Sequence, residues 1–365
     1  MTRTFYLRPL GLYEPHEVPL AGEPQGVFGG LSLGGGALVF PAVEVIKREG
    51  GGVSRRVTGL SELFERDWGR DTAAASELIE ALTMPRARLA GLSLERPRIM
   101  GIVNVTPDSF SDGGQLSSVQ AAIDHGLRLV DEGADILDIG GESTRPGSDA
   151  VALEEELRRV MPVLEGLRSR TQARISVDTR KSGVMARAAD AGADVLNDVS
   201  ALTHEPQALE TAAATGLPVM LMHAQGDPKT MNENPQYSDV ALDVFDFLES
   251  RIEACVAAGI PKSKLVVDPG IGFGKHLHHN VAVLSAMGLY HGLGVPVLLG
   301  ASRKKLIGQL CNVDDPQARV HGSIAAALSS IAQGVQIVRV HDVAATRQAI
   351  CVWQAASHGS EAGLS

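Results

Sequence analysis

The chain has 365 residues, 44% hydrophobic and 21% charged, an ordinary balance for a globular protein. Its net charge of −10, from 33 basic and 43 acidic residues, argues against nucleic acid or an anionic membrane as the main partner, so any bound anion must be held by a local cluster. No apolar stretch approaches the ~20 residues of a membrane span, Met1–Phe5 lacks a signal peptide's apolar core, and Cys255, Cys311 and Cys351 stand without C-x-x-C spacing, which fits a reducing cytoplasm.

Residues 1 to about 85 differ in texture from the rest. The stretch 26–41 is glycine-rich, with Gly29–Gly30 and Gly34–Gly35–Gly36 between short apolar pieces. Val43–Lys47 reads as a strand ended by Gly50–Gly51–Gly52, and Leu60–Leu82 carries helical signals, with Asp71 or Thr72 placed to cap Ala73–Leu82. No Gly-Lys-Ser/Thr follows the glycines, so they are not a phosphate loop. A small α+β appendage is expected, docked through apolar Leu38–Ile46. Ala87–Arg98 alternates around Gly91 and predicts a hairpin.

From residue 99 onward one unit recurs eight times: a short aliphatic run that stops on polar residues. The runs are Ile99–Val103 into Asn104, Asp135–Ile139 into Gly140–Gly141–Glu142, Arg174–Val177 into Asp178, and Val195–Leu196 into Asn197–Asp198. Pro218–Met222 into His223, Leu265–Val267 into Asp268, Pro296–Leu299 into Ser302–Arg303–Lys304, and Gln336–Val340 into His341–Asp342 complete the set. Such runs suit strands buried on both faces. The helical stretches between them are Val119–Glu132, Glu154–Arg168, Ser182–Ala191, Pro206–Thr215, Ser238–Ala258, Val281–Met287, Gln317–Gln333 and Val343–Ala355. Eight strand–helix units need about 250 residues and predict an α/β fold, a (β/α)8 TIM barrel over 86–365, with 1–85 as an extension. Residues just past the strand ends would then share one mouth. Ser109–Ser118 and Glu142–Asp149, rich in Ser, Asp, Gly and Pro, have the composition of lids.

Asp178, Asn197, Asp268 and Lys304 would converge in that mouth. A buried carboxylate must be paired or hydrogen-bonded, so an internal salt bridge competes with a ligand site. Two carboxylates, an amide and an ammonium match a flat heterocycle whose edge both donates and accepts. Arg339 and His341, two apart on a strand, face one side; with Arg145 and Asn104 they suggest an anion site. The alternative pairs Arg339 with Asp342 or another carboxylate. Asn104 and a phosphate oxygen could share Mg²⁺, which takes few protein ligands. Gly270–Lys275 resembles a Walker loop, but Pro269 precedes it and His276 replaces the Ser/Thr, so a barrel loop is the better reading. His276, His278 and His279 lack a regular scaffold or nearby carboxylate, and no zinc site is expected.

Ile102–Gly114 and Gly141–Gly147 (Gly-Glu-Ser-Thr-Arg-Pro-Gly) resemble the two signature loops of dihydropteroate synthases. Ser176–Thr179, Leu221–His223, Asp268–Gly270, Ser302–Lys304 and Arg339–Asp342 follow in family order. The resemblance spans about residues 86 to 356. It implies condensation of p-aminobenzoate with 6-hydroxymethyl-7,8-dihydropterin diphosphate, giving dihydropteroate and diphosphate, and a sulfonamide target. It further implies a pterin site at Asp178, Asn197, Met222, Asp268 and Lys304, with Mg²⁺ on Asn104. A diphosphate site would comprise Asn104, Thr144, Arg145, Arg339 and His341, and a p-aminobenzoate pocket Phe110, Thr144, Pro146, Phe273 and Lys305. Asp178, Lys304, Arg339 and His341 would carry catalysis. Two rivals are a methyltetrahydrofolate-dependent methyltransferase domain, which would lack the signature loops, and a non-catalytic pterin-binding paralogue, which would carry substituted ones. A homodimer is expected through the last two helices, where Ala325, Ala326, Ala327, Ser329 and Ser330 permit close contact; the alternative for these residues is packing onto the barrel.

Overall fold

Strand pairing follows chain order from the first apolar run to the last. The computed structural model describes residues 3–15, 29–105, 115–143, 148–226, 230–231 and 233–358. In the N-terminal part β1 (Phe5–Leu10), β4 (Ala42–Glu49) and β5 (Gly52–Gly59) form a three-stranded antiparallel sheet. The pair β2 (Leu31–Ser32) and β3 (Val39–Phe40) lies beside it, followed by helices α1 (Leu60–Glu65) and α2 (Thr72–Thr83).

The barrel strands are β6 (Arg98–Asn104), β7 (Ile136–Gly140), β8 (Arg174–Asp178), β9 (Val195–Asp198), β10 (Val219–Met222), β11 (Leu265–Asp268), β12 (Leu298–Leu299) and β13 (Ile337–Val340). All pairs are parallel, in the order β11-β10-β9-β8-β7-β6-β13-β12. A parallel bridge between Val267 and Val297 brings the two ends together, so the sheet is nearly closed. Around it run α3 (Gln115–Asp131), α4 (Leu153–Arg168), α5 (Ser182–Asp190), α6 (Ala208–Thr215), α7 (Val240–Ala257), α8 (Leu277–Ser285), α9 (Lys305–Cys311), α10 (Val320–Ile331) and α11 (Val343–His358). No described helix is long and apolar enough to cross a membrane.

The two-residue period of a strand sorts the barrel into two cores. Inward-facing Met100, Ile136, Val195, Met220, Val266, Leu298 and Ile337 pack together, closed from below by Leu89 and Leu94. The alternate residues, among them Val103, Leu137, Val177, Leu196, Leu221, Val267 and Val338, pack outward among the helices.

Several local expectations are corrected. The strand read at Val43–Lys47 does end at the glycines, and they also turn the chain into β5, a strand the pattern did not show, paired with β4 from Ala42–Gly59 to Glu49–Gly52. Helix over Leu60–Leu82 is interrupted between Glu65 and Thr72, where Asp71 takes the N-cap position without a cap bond and instead accepts from Lys47 at 2.6 Å. The Ala87–Arg98 hairpin reduces to one bridge between Leu89 and Leu92. Gln317–Gln333 divides into a 3-10 turn at Pro316–Arg319, with proline at its first position and Asp315 accepting from Gln317 N, and α10, which starts at Val320. The stretch placed at Val281–Met287 is α8, starting four residues earlier, and α3 likewise begins at Gln115, inside the stretch expected as a lid.

The appendage packs its apolar face on the barrel. Phe5, Tyr6, Leu7, Phe40, Ile46, Leu78 and Leu82 share one buried cluster with Tyr290 and Phe245. Polar clamps border it: Arg3 on Glu249, Arg48 on Asp243 and Asp246, and the Tyr6 hydroxyl donating to Asp246 at 2.8 Å.

Candidate active site

The polar mouth is the continuation of the inward period. Counting two residues up from the apolar floor leads from Ile136 to Asp138 and Gly140, from Val195 to Asn197, from Met220 to Met222, from Val266 to Asp268, and from Ile337 to Arg339. Register pairs Gly140 with Asp178, Asp178 with Asn197, and Met222 with Asp268, while the shear of the barrel sets Asn197 opposite Met220 and Arg339 opposite Met100.

Arg339 is the hub. Its Nε donates to Asp138 Oδ2 at 2.6 Å and its Nη2 to Asp178 Oδ2 at 3.0 Å. Asn197 Nδ2 donates to the same Asp138 oxygen at 3.2 Å, while Asp138 Oδ1 is buried without a partner. Of the alternatives for Arg339, Asp342 takes Arg303 at 2.9 Å, and it is other carboxylates, Asp138 and Asp178, that pair with Arg339. The residues assigned to pterin and to diphosphate therefore meet in one ion-pair network. Two carboxylates around one guanidinium leave a net negative charge. Burial pushes the Asp178 carboxyl up to about 7; Arg339 opposes this and Asp138 adds to it.

On the opposite wall, Asp268 Oδ1 accepts from Gly270 N at 2.8 Å. Burial raises its pKa, and Lys304 pulls it down. Lys304 reaches the mouth through a strained turn. Arg303 sits at φ +58, held by Ser323 Oγ on its N–H at 2.9 Å, at a backbone cost of about 1–3 kcal/mol. The Lys304 ammonium donates to the Ile271 carbonyl and lies 4.5 Å from the Phe273 ring centroid. Burial lowers its pKa to about 8, against the pull of Asp268.

Ser302 Oγ accepts from His341 N at 3.2 Å and lies 3.0 Å from His341 Nδ1. Assigning the hydroxyl proton to Nδ1 sets the neutral imidazole as the Nε2–H tautomer. Lys305 is exposed at the first residue of α9. Phe110, Thr144, Arg145 and Pro146 lie outside the described residues, so the p-aminobenzoate pocket is represented by Phe273 and Lys305, and the diphosphate group by Asn104, Arg339 and His341.

The donor set at the root of the first loop fits a hard cation. A Cβ on Gly140 would lie 3.8 Å from Asn104 Oδ1 and 3.9 Å from Asp178 Oδ2, so the bare glycine leaves a gap faced by two oxygens. One amide oxygen beside a carboxylate suits Mg²⁺, which completes its shell with water and phosphate oxygens. Among the described residues no three His, Cys, Asp or Glu side chains converge as a metal cage, including the histidines at 276–279. His276 and His279 instead form a capping box for α8.

Sequence reasoning missed Asp138, which sits inside an apolar run rather than at its end; counting back by two from Gly140 would have found it. It also passed over the buried cluster behind the second loop. There Glu142 accepts from Arg180 at 3.0 Å, from Lys181 at 2.9 Å and from the Val151 N–H at 3.1 Å, so one carboxylate ties both ends of that loop.

Residues 100–341 match the family model described as pterin binding enzyme. The dihydropteroate synthase of Escherichia coli is 49% identical over 275 residues, covering 75% of this chain and 97% of that one. That of Bacillus subtilis is 42% identical, covering 68% and 85%. A Xanthomonas albilineans dihydropteroate synthase solved with 4-aminobenzoic acid is 54% identical with a TM-score of 0.70, covering 74% of this chain and 98% of that one. A structure of the enzyme from the same organism holds 7,8-dihydropteroate, with 51% identity, the same coverage and a TM-score of 0.68.

Proposed function

The chain belongs to the dihydropteroate synthases of the pterin-binding enzyme family, and we propose that its barrel mouth joins 6-hydroxymethyl-7,8-dihydropterin diphosphate to p-aminobenzoate. The observation that carries the reading is the convergence of Asp178, Asn197, Asp268, Lys304 and Arg339 in one mouth, where Arg339 and Asn197 meet on Asp138, Arg339 also bonds Asp178, and Lys304 acts on Asp268. A pterin offers a guanidine-like edge that donates and an oxo edge that accepts. Asp178 and Asp268 take the donors, Asn197 and Lys304 serve the acceptors, and Met222, almost wholly buried, closes the floor.

In the reaction the aromatic amine attacks the pterin methylene, the C–O bond to diphosphate breaks, and the amine loses a proton. The amine is a modest nucleophile, so departure of diphosphate is the harder half. Arg339 and His341, with Arg145 and Thr144 from the second loop, stabilise the charge that develops on it. Mg²⁺ at Asn104, when bound, adds Lewis-acid stabilisation of the phosphate oxygens. Asp178, beside the methylene, stabilises positive charge there. Phe273, with Phe110 and Pro146, holds the aminobenzoate ring, and Lys305 meets its carboxylate.

Diphosphate release that requires both substrates, with dihydropteroate formed in equal amount, tests this reading; release independent of p-aminobenzoate would refute it. Unpaired thiols at Cys255, Cys311 and Cys351 support a cytoplasmic setting. A homodimer through α10 and α11 belongs to the same proposal. His321, Ala325, Ser329 and Ala332 are exposed at helical spacing along α10 and Val352 is 65% exposed on α11, whereas Ala326, Ala327 and Ser330 face inward. Sedimentation at micromolar concentration tests it, and a monomer there would exclude it.

A further inference from the structure

We propose that Lys275 is a positioning residue for the pterin pocket: its buried amino group ties His223 to the carbonyls of Gly270 and Phe273 and so fixes the 268–273 arc against Lys304. The proposal rests on the pterin reading of Asp268 and Lys304 and deepens it.

Lys275 Nζ is hydrogen-bonded to His223 Nδ1 at 2.8 Å and donates to the Gly270 carbonyl at 2.9 Å and to the Phe273 carbonyl at 3.2 Å. The residue is 4% exposed. Burial pulls both Lys275 and His223 well below their ordinary values. The three contacts are met whichever partner holds the proton: an ammonium donates all three, and a neutral amine donates to the two carbonyls and accepts from the Nδ1–H of a neutral imidazole. Asp268, and at longer range Lys304, are the charged groups that Lys275 faces.

The arc has no regular secondary structure of its own, and side chains replace a ladder. Lys275 pins it from inside; Asn280 pins it from outside, accepting from Gly272 N at 2.6 Å and donating to the carbonyls of Lys275 and His276 at 3.0 and 2.9 Å. It runs so close to the end of β10 that a Cβ on Gly270, at φ +71, would fall 1.9 Å from the His223 carbonyl oxygen. What the arc presents is functional: the Asp268 carboxylate oriented by Gly270 N, the Ile271 carbonyl that receives Lys304, and the Phe273 ring beside that ammonium. A loosened arc would lose all three together, while Arg339 and His341, on and just after β13, keep their own supports in Asp138, Asp178 and Ser302.

The test compares wild type with Lys275→Met by backbone hydrogen exchange and by calorimetry with 6-hydroxymethyl-7,8-dihydropterin and with Mg²⁺-diphosphate. Expected are at least tenfold faster exchange confined to residues 269–276, pterin affinity down at least tenfold, and diphosphate affinity within twofold. Unchanged exchange in the arc overturns the proposal. Equal loss for both ligands also overturns it, because that marks general destabilisation. If Lys275→Met does not fold, His223→Leu and His223→Asn decide: Leu removes the hydrogen-bond partner and should lower pterin affinity about tenfold, and Asn restores one and should recover most of it. Similar loss in both overturns the proposal. Failure of wild type to bind pterin would refute the functional reading, and the exchange measurement would still decide what Lys275 does to the arc.

Discussion

The guanidinium of Arg339 and the carboxylate of Asp178 share a hydrogen bond of 3.0 Å, so the group assigned to diphosphate is already engaged by the group assigned to pterin. On the proposed assignment the two halves of one substrate would meet groups that this ion pair links. Arg339→Ala is expected to weaken the diphosphate-bearing substrate by an amount in the range of about 2–5 kcal/mol. The free hydroxymethyl-dihydropterin should lose clearly less, through the altered Asp178 alone. Calorimetry with the two ligands measures the difference. Equal losses would remove Arg339 from the diphosphate site and leave it as a partner of Asp178.

The pH profile follows from the same pocket. On the proposed reading pterin binding uses ionised Asp178 and protonated Lys304, and burial pushes the first up to about 7 and the second down to about 8. The dependence of kcat/KM on pH for the pterin substrate is expected to be a narrow bell with limbs near those values, since that ratio reports the free enzyme. Asp178→Asn, in whatever activity remains, should abolish the acid limb. A flat profile from pH 6 to 9 would contradict both assignments.

Linkage gives this acid the opposite sign to the usual salt-bridged carboxylate. With its folded value raised from 3.8 to about 7, the folded state binds more protons than the unfolded state between those limits. Its contribution is most favourable below the unfolded value and is lost as pH rises through about 7. The melting temperature of Asp178→Asn relative to wild type should therefore rise from pH 5 to pH 8; a constant difference would show that Asp178 titrates normally.

Asp138 offers a separate handle on that limb. It sits wholly buried one step below Asp178, sharing Arg339, and its charge disfavours ionisation of Asp178. Asp138→Asn keeps the shape, removes the charge and should move the acid limb of kcat/KM to lower pH. A limb that moves up or stays in place would show that Asp138 acts on Arg339's position rather than on the charge of Asp178.

Much of this was legible in the chain because a strand's period is two. Asp178, Asn197 and Asp268 end apolar runs, so their place at the mouth follows from pattern alone. Asp138 was hidden because it interrupts a run that reads as continuous, and its role depends on Arg339 arriving from the far end of the chain. Lys304's orientation depends on Arg303 adopting φ +58, which no periodicity encodes. Gly270–Lys275 reads as a barrel loop and does follow β11, but its lysine turns inward to carbonyls, a three-dimensional fact without a sequence signature. In the appendage the helix break near 66–71 escaped because Asp71 serves Lys47 rather than the cap position it occupies.

The appendage leads to the last prediction. Every matched site residue lies at or after Asn104, and the family match begins at residue 100, which argues that residues 3–85 leave the chemistry unchanged. Yet Phe5, Tyr6, Leu7, Ile46 and Leu82 are almost fully buried, and Tyr6 packs edge-on against Phe245 of α7 at 5.4 Å between ring centroids. Removing residues 1–85 would expose that apolar face, along with Asp243, Asp246 and Glu249 stripped of Arg48 and Arg3. The truncated protein is expected to melt earlier and aggregate more readily, with kcat and both KM values of its folded fraction within about threefold of wild type. A milder version tests the mechanism. Tyr6→Ala should destabilise by about 3–5 kcal/mol, as for a large aromatic removed from a core, and leave the pH bell in place. A soluble, folded truncation with activity reduced about a hundredfold would instead give the appendage a part in the site.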